Sequence, residues 1–301
     1  MAKRPFVKSV VIAVSFITIL VAVRVALEPR MGPLNVVGVP ENERPHVRGM
    51  LAASAVDRSE LLSQLARKRV LLIGEAHFQQ EPQVWLQGLL DDLYAKDGHG
   101  TVLLLELPKH VQQQIDSYLE TGDESALDEA FRGSDVLPYR STVRWARTHR
   151  AAVARIVADD ENSWHVGLMR LLLTDTRNDT MARAIAAAAQ AYPAQRIVAY
   201  GGRMHMMNGG RYMYDSNSRR PVGARLPAMG VARQDIAAVW LFAGEAPVDG
   251  VWDTEDTVTF GGPAGDLLIT KLEDNPIFGA IRLKEIADYA VQLGPATPIE
   301  R

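Results

Sequence analysis

Four apolar residues, Val70 to Ile73, run into a glycine and then into Glu75 and His77 in the stretch VLLIGEAH. A run without polar alternation predicts a short strand buried on both faces, and Gly74 lets the chain turn sharply at its end. Thr101 to Leu107 (TVLLLEL), Arg196 to Gly202 (RIVAYGG) and Ile236 to Phe242 repeat the pattern. Between the first two, Val84, Trp85, Leu89, Leu90 and Leu93 fall at helical spacing, with Glu81 and Pro82 at the start and Gly98 at the close. Strand, helix, strand is a βαβ unit, whose crossover is right-handed and whose strands are parallel. Upstream, DRSELLSQLARKR predicts a helix capped by Asp57 or Ser59. Beyond Glu106, the segments Lys109 to Tyr118, Ser125 to Phe131 and Val143 to Asp159 have apolar spacing near 3.6, which predicts a helical insertion over the mouth of the sheet at about 108–170. Asp266 to Thr270 reads as a last strand and Ile281 to Leu293 as a closing helix. The fold class expected is α/β, a mostly parallel sheet sandwiched by helices.

The first residues break this pattern. Lys3, Arg4 and Lys8 precede the uncharged run SVVIAVSFITILVAV, Ser9 to Val23, which Arg24 ends. Lys8 and Arg24 can snorkel and stretch the run towards the ~20 residues a bilayer needs. No small-residue cleavage site follows it, so 1–27 is expected to be an uncleaved signal anchor, a single transmembrane segment. The basic end stays cytoplasmic, which puts the folded domain on the periplasmic or extracellular side of the inner membrane. Residues 28–55, with Pro29, Pro33, Pro40 and Pro45, are expected to be an extended, poorly packed linker. The domain then runs over 56–301. With 301 residues at 47% hydrophobic, the chain holds enough apolar residues for a sizeable core, and a net charge of −3 gives no reason to expect nucleic acid as a partner. There is no cysteine, which removes disulfides, thiolate metal sites, a cysteine nucleophile and a lipid anchor on Cys.

Candidate chemistry follows from where the strands end. Glu75, His77 and Glu106 leave the C-terminal ends of two buried strands, and His205 follows a third in the turn Gly-Gly-x-x-His. Parallel strands collect such residues along one edge, where open α/β sheets bind ligands. Arg177, in the helix start DTRNDTMARAI, lies in a first turn whose dipole disfavours a cation, so it calls for an acidic partner or an anionic ligand, with Glu75 and Glu106 the natural partners. Asp179 beside it, Arg225 in PVGARL and the phenol of Tyr212 are candidate substrate contacts. Met204, Met206, Met207 and Met213 around His205 suit an adaptable apolar wall. His165, in WHVGLM, can reach the pocket from the insertion.

GEAH after a hydrophobic strand, LLLELP further on, RNDTMA at a helix start and the Gly-Gly-x-x-His turn, in that order, resemble the ChaN-like group of the haem-binding uptake and Tiki superfamily, which also holds erythromycin esterases and Tiki proteases. The resemblance covers about Leu61 to Gly244. It implies the α/β sandwich and its pocket, and it leaves the chemistry open, because members bind haem, open a macrolide lactone or cleave peptides with a metal. As a hydrolase of an ester, lactone or amide in a small molecule or peptide, the chain would use Glu75 or Glu106 as general base. His77 and His205 would stabilise an oxyanion or, with Glu106, hold a divalent metal that keeps an open position for water. As a carrier it would bind haem or iron without catalysis, with His205, Tyr212 or Tyr214 as the axial ligand. No G-x-S-x-G elbow is present for a serine hydrolase, and no C-x-x-C-H for covalent haem.

Overall fold

The computed structural model describes residues 39–133, 136–160, 176–214, 217–243, 252, 257–268 and 281–299. The strands are β1 Ala55–Val56, β2 Val70–Glu75, β3 Thr101–Pro108, β4 Val153–Asp160, β5 Arg196–Gly202, β6 Tyr212–Tyr214, β7 Asn217–Arg219, β8 Ile236–Phe242, β9 Thr257–Thr259 and β10 Tyr289–Gln292. Eight of them form one sheet in the order β1-β9-β10-β8-β2-β5-β3-β4. From β10 to β4 every pairing is parallel, and β9 and β1 add an antiparallel edge. The expected α/β architecture with a mostly parallel sheet is therefore present. The strands β2, β3, β5 and β8 are those expected from the apolar runs, and β5 lies between β2 and β3, so that all three end side by side.

Burial on both faces explains the unbroken apolar runs. Along β2, Val70 and Leu72 enter one core while Leu71 and Ile73 enter the other. The same parity holds in β3, where Val102 and Leu104 face the first core and Leu103, Leu105 and Leu107 the second. The helices are α1 Arg44–Ala52, α2 Arg58–Leu65, α3 Gln80–Asp97, α4 Gln112–Thr121, α5 Glu124–Ala130, α6 Arg140–Thr148, α7 Thr176–Ala191 and α8 Leu283–Ile286. Met181, Ala182 and Ile185 of α7 cover the first face, together with α1 and α8. The second face is covered by α2 through α6. Asp57 caps α2 by accepting from the Glu60 amide, and Gly98 closes α3 at a φ of 70°.

Several expectations are corrected, among them the strand expected from Asp266, which instead closes the 3-10 turn Pro263–Asp266. The linker expected at 28–55 is helical from Arg44, because Pro45 stands at the start of the helix, where its missing N–H costs nothing, and Val47 and Leu51 then reach the first core. The helix expected through Val143 to Asp159 stops at Thr148. Val153, Ile156 and Val157 are β-branched and pair with β3 as the sheet's far edge, so strand pairing overrides the helical period. The closing helix expected at Ile281 to Leu293 is a single turn, α8, followed by β10 pairing with β8. The insertion helices α4 to α6 pack on the second face of the sheet rather than over its mouth, and Tyr139, in the loop before α6, reaches Glu75. Among the described residues no helix is long and apolar enough to cross a membrane. The expected anchor at 1–27 and His165 both lie outside the described residues.

Leu51 tests the corrected N-terminal boundary. Leu51→Ala should lower the unfolding free energy by about 2–5 kcal/mol, as for a leucine lost from a packed core. Denaturant titration of both proteins checks it, and a change below about 0.5 kcal/mol, the size seen at surface sites, would return the segment to a loose tether.

Candidate active site

Sheet parity sets the site. Glu75 ends β2 on the odd side, the face of α2 to α6, and the hydroxyl of Tyr139, from the loop into α6, donates to its Oε1 at 2.9 Å. His77, just past the strand, brings Nδ1 to 2.8 Å from the same oxygen. Glu106 stands on the even side of β3, the face of α7. Its Oε1 accepts from Arg177 Nη2 at 2.6 Å, and its Oε2 accepts from the Gly202 amide at 2.6 Å. Arg177 also forks onto Asp160 at the end of β4, with Nε and Nη2 at 2.8 and 2.7 Å. This answers the expectation for Arg177 in part: Glu106 is a partner, Asp160 is the second, and Glu75 stands apart on the other face.

Both histidines turn Nε2 towards Glu106, His77 at 3.8 Å from Oε2 and His205 at 3.7 Å from Oε1. These spans are too long for direct hydrogen bonds and suit a bridging water or substrate oxygen. The tautomer of His205 follows from its neighbours. Asn178 Nδ2 donates to the carbonyl of Arg220 at 2.8 Å and to the Tyr212 oxygen at 2.9 Å. Its Oδ1 therefore faces His205 Nδ1, which must carry the proton, and Nε2 keeps its lone pair.

The electrostatics separate the four groups. Burial opposes charge on Glu106, but the charges of His205, Arg177 and His77 and the Gly202 N–H outweigh it and hold the carboxyl at about 2. Burial pulls His205 down to about 4, so it is neutral at pH 7. Burial opposes charge on His77 too, yet the hydrogen bond to Glu75 and the charges of Glu106 and Glu75 raise it above its ordinary 6.5. Burial raises Glu75 above 4.5 against its bonds to His77 and Tyr139. The Tyr139 phenol, lifted well above its usual range by burial and by Glu75, remains a donor. Asp159, buried beside Asp160 with neither oxygen bonded, is pushed well up by burial and by the charges of Glu106 and Asp160.

Glu75, His77, Glu106, His205 and Arg177 thus meet, and Tyr212 joins them through Asn178. Asp179 and Arg225 form an ion pair with each other at 3.4 Å, which ties α7 to the loop before Leu226. The expected metal set of His77, His205 and Glu106 is not assembled. Among the described residues no group of three or more His, Asp or Glu side chains is arranged to hold a metal ion. The physical reason is Arg177, a fixed cation already seated on the Glu106 oxygen nearest His205. Nor is Tyr212 an open axial ligand for haem, being buried with its oxygen engaged by Asn178. The side chain of Tyr214 lies outside the described residues.

Sequence reasoning missed Asp160, Tyr139 and Asn178. Asp160 follows an apolar run as Glu106 does, and a strand assignment there would have found it. Asn178 lies inside the quoted RNDTMA. Tyr139 sits in an irregular segment 64 residues from its partner, where no local pattern marks it.

An α/β fold with a buried glutamate and histidine cluster at the C-terminal ends of its parallel strands defines the class. The model of the family described as haem-binding uptake, Tiki superfamily, ChaN matches residues 61–163, about a third of the chain, and that span carries the GEAH and LLLELP motifs of the resemblance. That span holds Glu75, His77, Glu106, Tyr139 and Asp160, and stops short of Arg177 and His205. An erythromycin esterase, EreC, in its open conformation is similar at a TM-score of 0.61 and 13% identity, covering 84% of this chain and 98% of that one. A Bacillus cereus protein gives 0.54 at 12% identity over 88% and 99%. A succinoglycan biosynthesis protein gives 0.54 at 10% identity over 86% and 99%. At these identities the likeness is one of fold. No curated protein matches by sequence.

Acid should destabilise the protein in two stages. His205 has its folded value near 4 against an ordinary 6.5, so between pH 6.5 and 4 the unfolded chain takes up a proton that the folded one refuses. Glu106, near 2 against 4.5, continues the loss from pH 4.5 down to 2. Urea unfolding at stepped pH measures this, and His205→Gln should flatten the upper stage and shrink the lower one, because the His205 charge helps to hold Glu106 low.

Proposed function

We propose that the chain is a hydrolase of an ester, lactone or amide, with His77 as the general base. The reading rests on one observation, the approach of two imidazole Nε2 atoms to opposite oxygens of a single buried, ionised carboxylate. In this reading Glu75 accepts the Nδ1 proton of His77 and leaves Nε2 free to take a proton from water. The imidazolium so formed lies between the carboxylates of Glu75 and Glu106, which stabilise it. His205, neutral with its lone pair inward, accepts a hydrogen bond from the same water or from a substrate hydroxyl. Among the described residues nothing pairs with Nη1 of Arg177, whose side chain is 27% exposed, so its two N–H groups are available to a carbonyl oxygen as it gains charge. The fold shared with an erythromycin esterase is in keeping with this reading.

A haem or iron carrier without catalysis is the second reading, supported by the description of the matching family. The polar, largely satisfied surroundings of Tyr212 and His205 favour it less. In both readings we place the domain outside the inner membrane, held by the apolar run Ser9 to Val23, on the strength of the basic residues before that run.

The full chain should turn over members of a panel of esters, lactones and amides. His77→Ala should lower kcat/KM by about 10²–10⁴-fold, the usual worth of a general base. The profile of kcat/KM against pH should climb with loss of the His77 proton, on a limb above 6.5. Activity that survives His77→Ala, or a limb near 4, would move the base to another residue. A Soret band on adding haemin, without turnover, would favour the carrier.

A further inference from the structure

His77 is followed by the one non-glycine residue with positive φ among the described residues, Phe78 at 68°. A bulky side chain rarely adopts this left-handed backbone, and it persists only where the surroundings hold it. One hold on it comes from the far end of the chain. The Ile299 amide donates to the Phe78 carbonyl at 2.9 Å, and the Gln80 amide donates to the Thr297 carbonyl at 3.0 Å. Gln79 and Pro298 form an antiparallel bridge between these bonds. The Thr297 amide, in turn, donates to both carboxylate oxygens of Glu81 at 2.9 Å.

This pairing also completes a helix that the local sequence leaves open. Gln79, at the N-cap of α3, makes no capping hydrogen bond through its side chain, and a helix start leaves its first amides without partners. The Thr297 carbonyl satisfies the amide of Gln80. The two prolines, Pro295 and Pro298, stiffen the strap on either side of Thr297. The whole path from β2 to α3 is thus fixed at its beginning by Glu75 and at its end by residues 297–299, with His77 and Phe78 between. Their rings meet edge to face at 6.2 Å, so the backbone turn at Phe78 bears directly on where the imidazole stands.

We propose that Thr297–Ile299 is a positioning strap for His77: it holds Phe78 in its left-handed conformation and so keeps the imidazole between Glu75 and Glu106. The proposal rests on the assignment of His77 as general base, and its test separates the two. Ile299→Pro removes the N–H that the Ile299 backbone donates to the Phe78 carbonyl, while Ile299→Ala keeps it. In the full chain, Ile299→Pro should lower kcat by about 10–100-fold with KM little changed, the cost of a misplaced catalytic group. It should also speed hydrogen exchange at the Gln80 amide and remove the low-field proton resonance of His77 N–H bonded to Glu75. Ile299→Ala should behave as the parent. Phe78→Asn, which tolerates the left-handed backbone, should restore part of the resonance and of kcat in the Ile299→Pro protein. Unchanged exchange and an unchanged His77 resonance in Ile299→Pro would overturn the strap, as would an equal effect of Ile299→Ala. If the parent turns over no substrate, the hydrolase reading fails, and exchange and resonance still decide the strap.

Discussion

A carboxylate buried in the middle of a protein and still ionised constrains everything near it, and Glu106 is such a group. Removing its charge from water costs several kcal/mol unless partners replace the lost hydration. Four neighbours do so: Arg177 from α7, the Gly202 amide from the end of β5, and His77 and His205 from the loops after β2 and β5. The close approach explains both glycines of the Gly-Gly-x-x-His turn. A Cβ at Gly201 would stand 2.5 Å from Glu106 Oε2, and one at Gly202 would stand 3.0 Å from His77 Nε2. Side chains there would push the carboxylate or the imidazole out of place. Arg177, carrying charge into the same space, needs more than one acid, and Asp160 supplies the second. The edge strand β4 is therefore tied into the site through Asp160, whose charge also acts on His205.

The two imidazoles lie at similar distances from one carboxylate and are driven in opposite directions. Each is opposed by burial. His77 has a second carboxylate, Glu75, hydrogen-bonded at its far nitrogen, and there a proton gains. His205 has an amide oxygen at its far nitrogen and the Arg177 guanidinium nearby, and there a proton loses. The difference lies in the groups behind the rings, an acid for one and Asn178 for the other. Two residues of one type are thus driven apart, one towards holding a proton and the other towards a neutral hydrogen-bonding group at pH 7.

The central strands and the main site residues were legible because burial on both faces leaves an unbroken apolar run, and each run ends in a residue that the sheet cannot bury unpaired. VLLIGE and TVLLLE carry that signal in a few letters, and the glycines after RIVAY carry the turn. Legibility fell away at the margins of the sheet. Val153–Asp160 is an edge strand with a mixed pattern of buried and half-exposed positions, so its spacing is compatible with a helix, and Asp160 was hidden with it. Tyr289–Gln292 is too short to set a period. Arg44–Ala52 lies among prolines, and only the tertiary contact of Val47 and Leu51 shows that the first of its turns begins at one. In each case the deciding interaction is with a strand or core distant in sequence, which no local window contains.

The placement of the site at the sheet's edge has a further consequence. Glu75 and Glu106 sit at the ends of strands separated only by β5, yet parity sends their side chains to opposite faces of the sheet. Two carboxylates on the same face would be close enough to force one of them to keep a proton. On opposite faces each finds its own partners, Tyr139 and His77 for one, Arg177 and the Gly202 amide for the other. His77 alone spans the edge, bonded behind to Glu75 and facing Glu106 in front. A proton taken by His77 is therefore held between acids that belong to different layers of the protein, and the layers can change independently. Helices α4 to α6 and the loop bearing Tyr139 act on the base from behind, while α7 and the loop around His205 act on the space in front of it. A fold arranged this way can alter the substrate in front without disturbing the base behind, which is a physical route by which one scaffold comes to carry different chemistries.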